Sequence, residues 1–214
     1  VSVTQKSHGF LFGSAMFDAV PLANDELSGE KKETAEKVMN DFFGLFNYVT
    51  LPFYWGRFEP EKGKPDTKRL RKAAEWLISR KCTLKGHPLC WHTVCAPWLM
   101  RYDNPTILQK QLARIRREAA DFRGRIDTWD VINEVVIMPV FDRYDNAVTR
   151  IAKDLGRVGI VGAVVEAARE GNPGATLILD DFDMYPPHEL PIADCLDAGV
   201  VIDVIGLQAH PHQG

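Results

Sequence analysis

Residues 129–134 read Trp129-Asp130-Val131-Ile132-Asn133-Glu134, an apolar run opened by Ile126 that ends abruptly in an amide and a carboxylic acid. Branched and aromatic residues packed this closely predict a short strand covered on both faces. A carboxyl group delivered at the end of such a strand is partly withdrawn from water. Withdrawal disfavours the ionised form and raises its pKa, which suits a general acid working near neutral pH. The adjacent Asn133 amide can hold a substrate hydroxyl beside that acid. Taken alone, the Asn133-Glu134 pair reads first as a polar cap on the next helix.

The segments on either side repeat the pattern. Strands are expected at Phe10–Ala15, Asn47–Phe53, Thr83–Cys90, Ile126–Ile132, Thr176–Leu179 and Val201–Leu207. Helices are expected between them. Ser28 is placed to cap one from about Glu30 to Phe43, with Ala35, Val38, Met39, Phe42 and Phe43 on one face. Asp66 is placed to cap a second, carrying Leu70, Ala73, Ala74, Leu77 and Ile78. Pro105 opens a third, with Ile107, Leu108, Leu112, Ile115, Ala119 and Phe122 inward. The long Ala/Val-rich stretch Ala147–Glu170 is stopped by Gly171-Asn172-Pro173-Gly174, and a short helix is expected near Pro191–Ala198. Strands alternating with helices predict right-handed βαβ units and a parallel sheet. Polar and aromatic residues gather just beyond the strands: Trp91 and His92, Glu134, Asp180 and Asp181, Gln208 and His210. That distribution predicts a (β/α)8 barrel with its chemistry on the carboxyl face; a doubly wound open sheet also binds ligands there.

Composition narrows the function classes. The 214 residues are 45% hydrophobic, enough for one well-buried domain. A net charge of −3 offers no basic footprint for nucleic acid, and no apolar run is long enough to span a bilayer. Cys82, Cys90, Cys95 and Cys195 lack the CxxC spacing of a zinc or redox site and are read as buried free thiols, with the redox compartment left open. The start, Val1-Ser2-Val3-Thr4, has no initiator Met and no signal peptide, and is read as a processed or cut terminus.

Four segments in order carry a family resemblance. Gly86-His87-Pro88-Leu89-Cys90-Trp91-His92 with Pro97-Trp98, then Trp129–Glu134, Leu177–Asp183 and Gly206-Leu207-Gln208-Ala209-His210 resemble G-H-x-L-x-W-H…P-x-W, W-D-V-x-N-E, L-x-I-N-D-Y-N and G-L-Q-x-H of glycoside hydrolase family 10. Weaker matches are Phe12-Gly13-Ser14-Ala15 and Trp55…Glu59-Pro60. The resemblance implies a retaining endo-β-1,4-xylanase-like enzyme acting on xylan or a substituted xylan-like polysaccharide, secreted or periplasmic, with no metal or organic cofactor. It implies Glu134 as the acid/base, and Asn133 and His92 as contacts to the sugar at the cleavage site. Trp91 is then a lining of the sugar cleft, and Gln208 and His210 neighbours of the nucleophile. Trp76, at helical spacing among apolar residues, is read as packing, and Trp98 has that reading too.

Three departures qualify it. The family's second strand continues T-x-E-N-x-x-K-W, whereas Thr50 is followed by Leu51-Pro52-Phe53-Tyr54-Trp55. The subsites on the non-reducing side must then differ, with Phe53, Tyr54 or Arg57 as replacements. The fifth strand reads Asp180-Asp181-Phe182-Asp183 where N-D-Y-N is usual, which adds carboxylates. The family's nucleophile is a Glu at the end of a seventh strand, and this chain reaches only the sixth. The expectation is therefore a single catalytic domain over residues 1–214, holding about six βα units of a barrel and missing strands 7 and 8, roughly 70 residues. A truncated sequence explains this; so does a second chain completing the barrel, or an open sugar-binding module that does not hydrolyse.

Overall fold

A computed structural model describes residues 9–183 and 186–208. Six strands form one sheet in the order β1-β2-β3-β4-β5-β6, every neighbouring pair parallel. They are β1 Gly13–Ala15, β2 Tyr48–Pro52, β3 Thr83–His87, β4 Thr128–Asn133, β5 Thr176–Asp181 and β6 Val204–Leu207. The helices are α1 Ala19–Ala23, α2 Gly29–Leu45, α3 Trp55–Phe58, α4 Thr67–Ile78, α5 Asn104–Asp121, α6 Ala147–Gly171 and α7 Pro186–Asp197. Sequential strand order with helical crossovers is the arrangement of a (β/α) barrel wall, here six units of it.

Burial follows the apolar spacing. On α4, Leu70, Ala73, Ala74 and Leu77 face the core; on α5, Ile107, Ile115 and Ala119 do so. Trp129 lies at the centre, edge-on to Phe53 at 4.7 Å, and Phe53 is edge-on to Phe122 at 4.9 Å. Gly86 sits opposite Trp129 in the ladder, and a methyl group there would lie 2.1 Å from the indole ring. The glycine is what lets the indole lie against β3. Trp76 packs on Phe43 at 5.7 Å, in line with its reading as packing, and Trp98 is buried with its indole N–H on the Glu59 carbonyl.

Several local expectations are corrected. Neither Ser28 nor Asp66 makes a side-chain cap; Asp66 pairs with Arg69 at 3.1 Å instead. The caps that do form are Asp103 on the Thr106 N–H and Asn146 on the Thr149 N–H. β1 is shorter than expected, and ahead of it the Asn47 side chain bonds the Phe12 N–H and the Phe10 carbonyl while the Asn47 N–H donates to the Phe12 carbonyl. Gly156, at φ +68°, kinks α6, which the sequence reads as continuous. β3 stops at His87, and β6 starts three residues later than expected. The four cysteines are free, three of them buried and Cys95 half-buried.

Two features position the carboxyl face. Arg114 on α5, fully enclosed, donates to the carbonyls of Leu89 and Phe53, and Gln111 also donates to Leu89. Together they bind the ends of β2 and β3 to one helix. β4 carries a register irregularity between Asp130 and Ile132, and Glu134 just beyond it has φ +58°. Bulges beside a site re-aim the side chains that follow, and a non-glycine residue held in the left-handed region costs on the order of 1 kcal/mol. The Glu134 N–H, bonded to the Asp180 carbonyl at 2.8 Å, holds that conformation.

The outer strands carry exposed apolar side chains. Phe10, Leu11 and Phe12 beside β1, and Val201, Val204, Ile205 and Leu207 at β6, are exposed. Among the described residues β1 pairs only with β2, and β6 only with β5.

Candidate active site

The carboxyl ends of the strands converge on one cleft of about 420 Å³. Thr50 comes from β2, Lys85 and His87 from β3, Asp130 and Asn133 from β4, and Asp180 from β5; Tyr54, Trp91, Glu134 and Gln208 come from the loops just beyond. Tyr54, His87 and Trp91 make an aromatic wall, with ring centroids 5.5 Å apart for Tyr54–His87 and 5.7 Å for Tyr54–Trp91.

Glu134 is held on its indole side by Trp91, whose Nε1–H donates to Oε2 at 2.8 Å. Burial raises the Glu134 pKa and Asp181 adds to the rise, while the Trp91 hydrogen bond and His87 act against it. The balance is a carboxyl that keeps its proton to higher pH than a free one, as a proton donor requires. Asn133, buried, joins Glu134 to its neighbours. Its oxygen accepts from Gln208 Nε2 at 2.6 Å. Turned over, its nitrogen donates to Asp180 Oδ2 at 3.0 Å and its oxygen accepts from Trp91 Nε1 at 3.2 Å.

A second cluster forms the floor. Asp130, fully buried, meets Lys85 Nζ at 2.8 Å and His87 Nδ1 at 2.6 Å. The carboxylate accepts from Nδ1–H, which leaves His87 Nε2 for a ligand. Asp180 is raised to about 6 by burial and by Asp130, with Lys85, Gln208 and His87 opposing. His87, Asp130 and Asp180 have ligand atoms within 4.8 Å of one another and could hold a cation, but the Lys85 ammonium already supplies positive charge to Asp130.

The structure thus brings Glu134, Asn133, Trp91 and Gln208 together, as the sequence reading expects. His92 does not line the cleft with them. His92 is buried behind the cleft against Phe141 at 4.4 Å, with Nε2 3.9 Å from Glu134 and its pKa lowered by burial to about 4. The imidazole facing the cleft belongs instead to His87. Its signal is in the sequence: Leu84 and Gly86 turn to one face of β3 while Lys85 and His87 turn to the other. Phe53 does not replace a sugar contact, because it is wholly inside the core. Tyr54 does line the cleft. His210 lies outside the described residues.

A raised carboxyl flanked by an amide, beside aromatic rings on the carboxyl face of a parallel barrel wall, has the residue types of the class of glycoside hydrolases. The chain belongs to glycosyl hydrolase family 10, whose family model matches residues 6–214. Among its relatives, endo-1,4-beta-xylanase B of Thermotoga neapolitana is 27% identical over 189 residues, covering 82% of this chain and 52% of the relative. Endo-1,4-beta-xylanase C of Paenibacillus barcinonensis is 23% identical over 217 residues, covering 90% of this chain and 20% of the relative. The chain therefore spans about half the length, or less, of these relatives. In structure it is similar to native xylanase 10B from Thermotoga maritima (TM-score 0.74, 25% identity, 92% of this chain and 60% of that one). It is also similar to xylanase 10B from Thermotoga petrophila RKU-1 in complex with xylobiose (TM-score 0.74, 22% identity, 92% and 59%).

Proposed function

We propose that this chain carries the acid/base side of a retaining endo-β-1,4-glycanase of xylanase type, acting on xylan or a substituted xylan-like polysaccharide outside the cytoplasm. The observation that carries this reading is Glu134 itself: a carboxyl with raised pKa at the mouth of a parallel barrel, held by Trp91 and adjacent to Asn133. In the first step Glu134 donates its proton to the leaving-group oxygen while a facing carboxylate attacks the anomeric carbon. In the second step Glu134 takes a proton from water and the glycosyl ester is hydrolysed. Two carboxyl groups about 5–5.5 Å apart are needed. The two aspartates of β5 are hydrogen-bonded where they stand: Asp180 accepts from Gln208, and Asp181 accepts from the Val136 and Asp183 N–H groups. We assign the attack to a carboxylate on a strand that pairs with the open edge of β6, from a longer form of this protein or a second chain. Residues 1–214 are then one incomplete catalytic domain.

The engagement of both aspartates also favours a second reading, a barrel that binds sugar without cleaving it. The experiment is hydrolysis of xylo-oligosaccharides by the protein with its sheet completed, following the anomeric configuration of the first product. Retention of configuration, abolished by Glu134→Gln with sugar binding intact, supports the enzyme. Inversion, or no loss of turnover in Glu134→Gln, overturns it; binding without any hydrolysis selects the second reading. Loss of a general acid costs about 10²–10⁴-fold in rate.

A further inference from the structure

A side pocket of about 200 Å³ opens off the cleft, sharing Phe17 and Tyr54 with it and bordered further by Pro52, Arg57, Asp66 and Arg69. It is built by the loops after β1 and β2 together with the start of α4, on the same face as Glu134. Its size is that of one sugar residue and not of a chain segment. Phe17 and Tyr54 stand edge-on at 5.9 Å at the threshold between the two spaces.

The charges in the pocket are unequal. Arg69 is satisfied, bonded to both carboxylate oxygens of Glu26 at 2.6 and 2.7 Å and to Asp66 at 3.1 Å. Arg57 is not. Its guanidinium carbon lies 5.9 Å from the Tyr54 ring centre, it is exposed, and no carboxylate pairs with it among the described residues. The main cleft has the opposite character. Asp130, Asp180 and Glu134 line its floor, and Lys85 and His87 already serve Asp130. An anionic sugar is disfavoured over that floor, whereas the pocket at its side holds an uncompensated cation. A neutral main chain bearing an acidic branch matches this separation of charge.

We propose that Arg57 reads the carboxylate of a uronic acid branch on the glycan, with the branch seated in the side pocket and the uncharged main chain in the cleft. This rests on the reading that the cleft binds a β-linked glycan. A guanidinium presents two parallel N–H donors to a carboxylate, a geometry that neither a hydroxyl nor a lysine ammonium reproduces. The Tyr54 ring beside the guanidinium gives the sugar an apolar surface.

The test is calorimetric binding to the full chain carrying Glu134→Gln, so that no turnover intervenes. Three ligands are compared: xylotetraose, the same chain with one glucuronosyl branch, and that branched chain with its carboxyl reduced to the alcohol. The acidic ligand should bind about 5–20-fold more tightly than its reduced twin, a gain that shrinks at high salt. Adding Arg57→Gln should remove the gain and leave xylotetraose affinity unchanged. If that variant does not fold, Arg57→Lys takes its place and should show a gain reduced several-fold. Equal binding of the acidic and reduced ligands, or a gain undiminished by the Arg57 change, overturns the assignment while the glycan reading stands, since xylotetraose still binds. Failure of all three ligands to bind overturns both.

Discussion

The indole N–H of Trp91 donates to Glu134 Oε2 at 2.8 Å, so the candidate acid is oriented by a residue 43 positions earlier in the chain. An N–H donor stabilises the ionised carboxylate and restrains a pKa that burial pushes up. Trp91→Phe removes the donor, so the Glu134 pKa rises further. The protonated form then persists to higher pH, and the basic limb of the kcat/KM profile of the completed enzyme moves upward. A pH–rate profile checks this, and a limb unmoved or shifted to lower pH contradicts the role given to Trp91.

Asp180 presents a pH dependence of stability. Its folded pKa, about 6, stands above the ordinary aspartate value of 3.8. Below the lower value both folded and unfolded chains are protonated and nothing is lost. Between the two the folded chain binds more protons, so stability falls as pH rises, and above about 6 the full penalty applies. Asp180→Asn removes the charge and keeps an oxygen for Gln208. The variant should be more stable than the parent at pH 7 by about 3 kcal/mol, with the difference vanishing near pH 3. Urea unfolding at the two pH values measures it.

Arg114 should be costly to remove. Its guanidinium is enclosed, with its pKa lowered to about 10 by burial, and it satisfies the carbonyls of Leu89 and Phe53. Arg114→Met leaves both oxygens without that donor and deprives the buried Glu118 of a neighbouring cation. The expected loss is about 3–5 kcal/mol, read as a lower urea midpoint.

Gly86→Ala should be more damaging than its one added methyl suggests. The new Cβ would stand 2.1 Å from the Trp129 ring, which is fully buried and packed edge-on to Phe53. A loss of about 1–3 kcal/mol is expected in thermal unfolding. A small change would show that the indole can be displaced at little cost.

Much of the architecture was legible locally. The apolar runs ending in polar residues marked the strands and their carboxyl ends, and the helical spacing of Leu70, Ala73, Ala74 and Leu77 marked the buried face of α4. Helix starts were less legible. Asp103 and Asn146 cap through their side chains, whereas Ser28 and Asp66 occupy the same kind of position and do not. A cap depends on backbone angles and on competing partners, and for Asp66 that partner is Arg69.

By itself the sequence determined the alternation of strand and helix, the parallel sheet, and the arrival of Asn133-Glu134 at a strand end, because each follows from periodicity within one segment. Only the tertiary structure decided which side chains meet. It put His87 in the cleft and left His92 out of its lining, buried Phe53, clustered Lys85, His87 and Asp130, and set Arg57 beside a pocket with no carboxylate partner among the described residues. Those outcomes depend on register and on the irregularity in β4, which join residues tens of positions apart. A one-residue shift in a strand would turn that strand's own side chains to the opposite face.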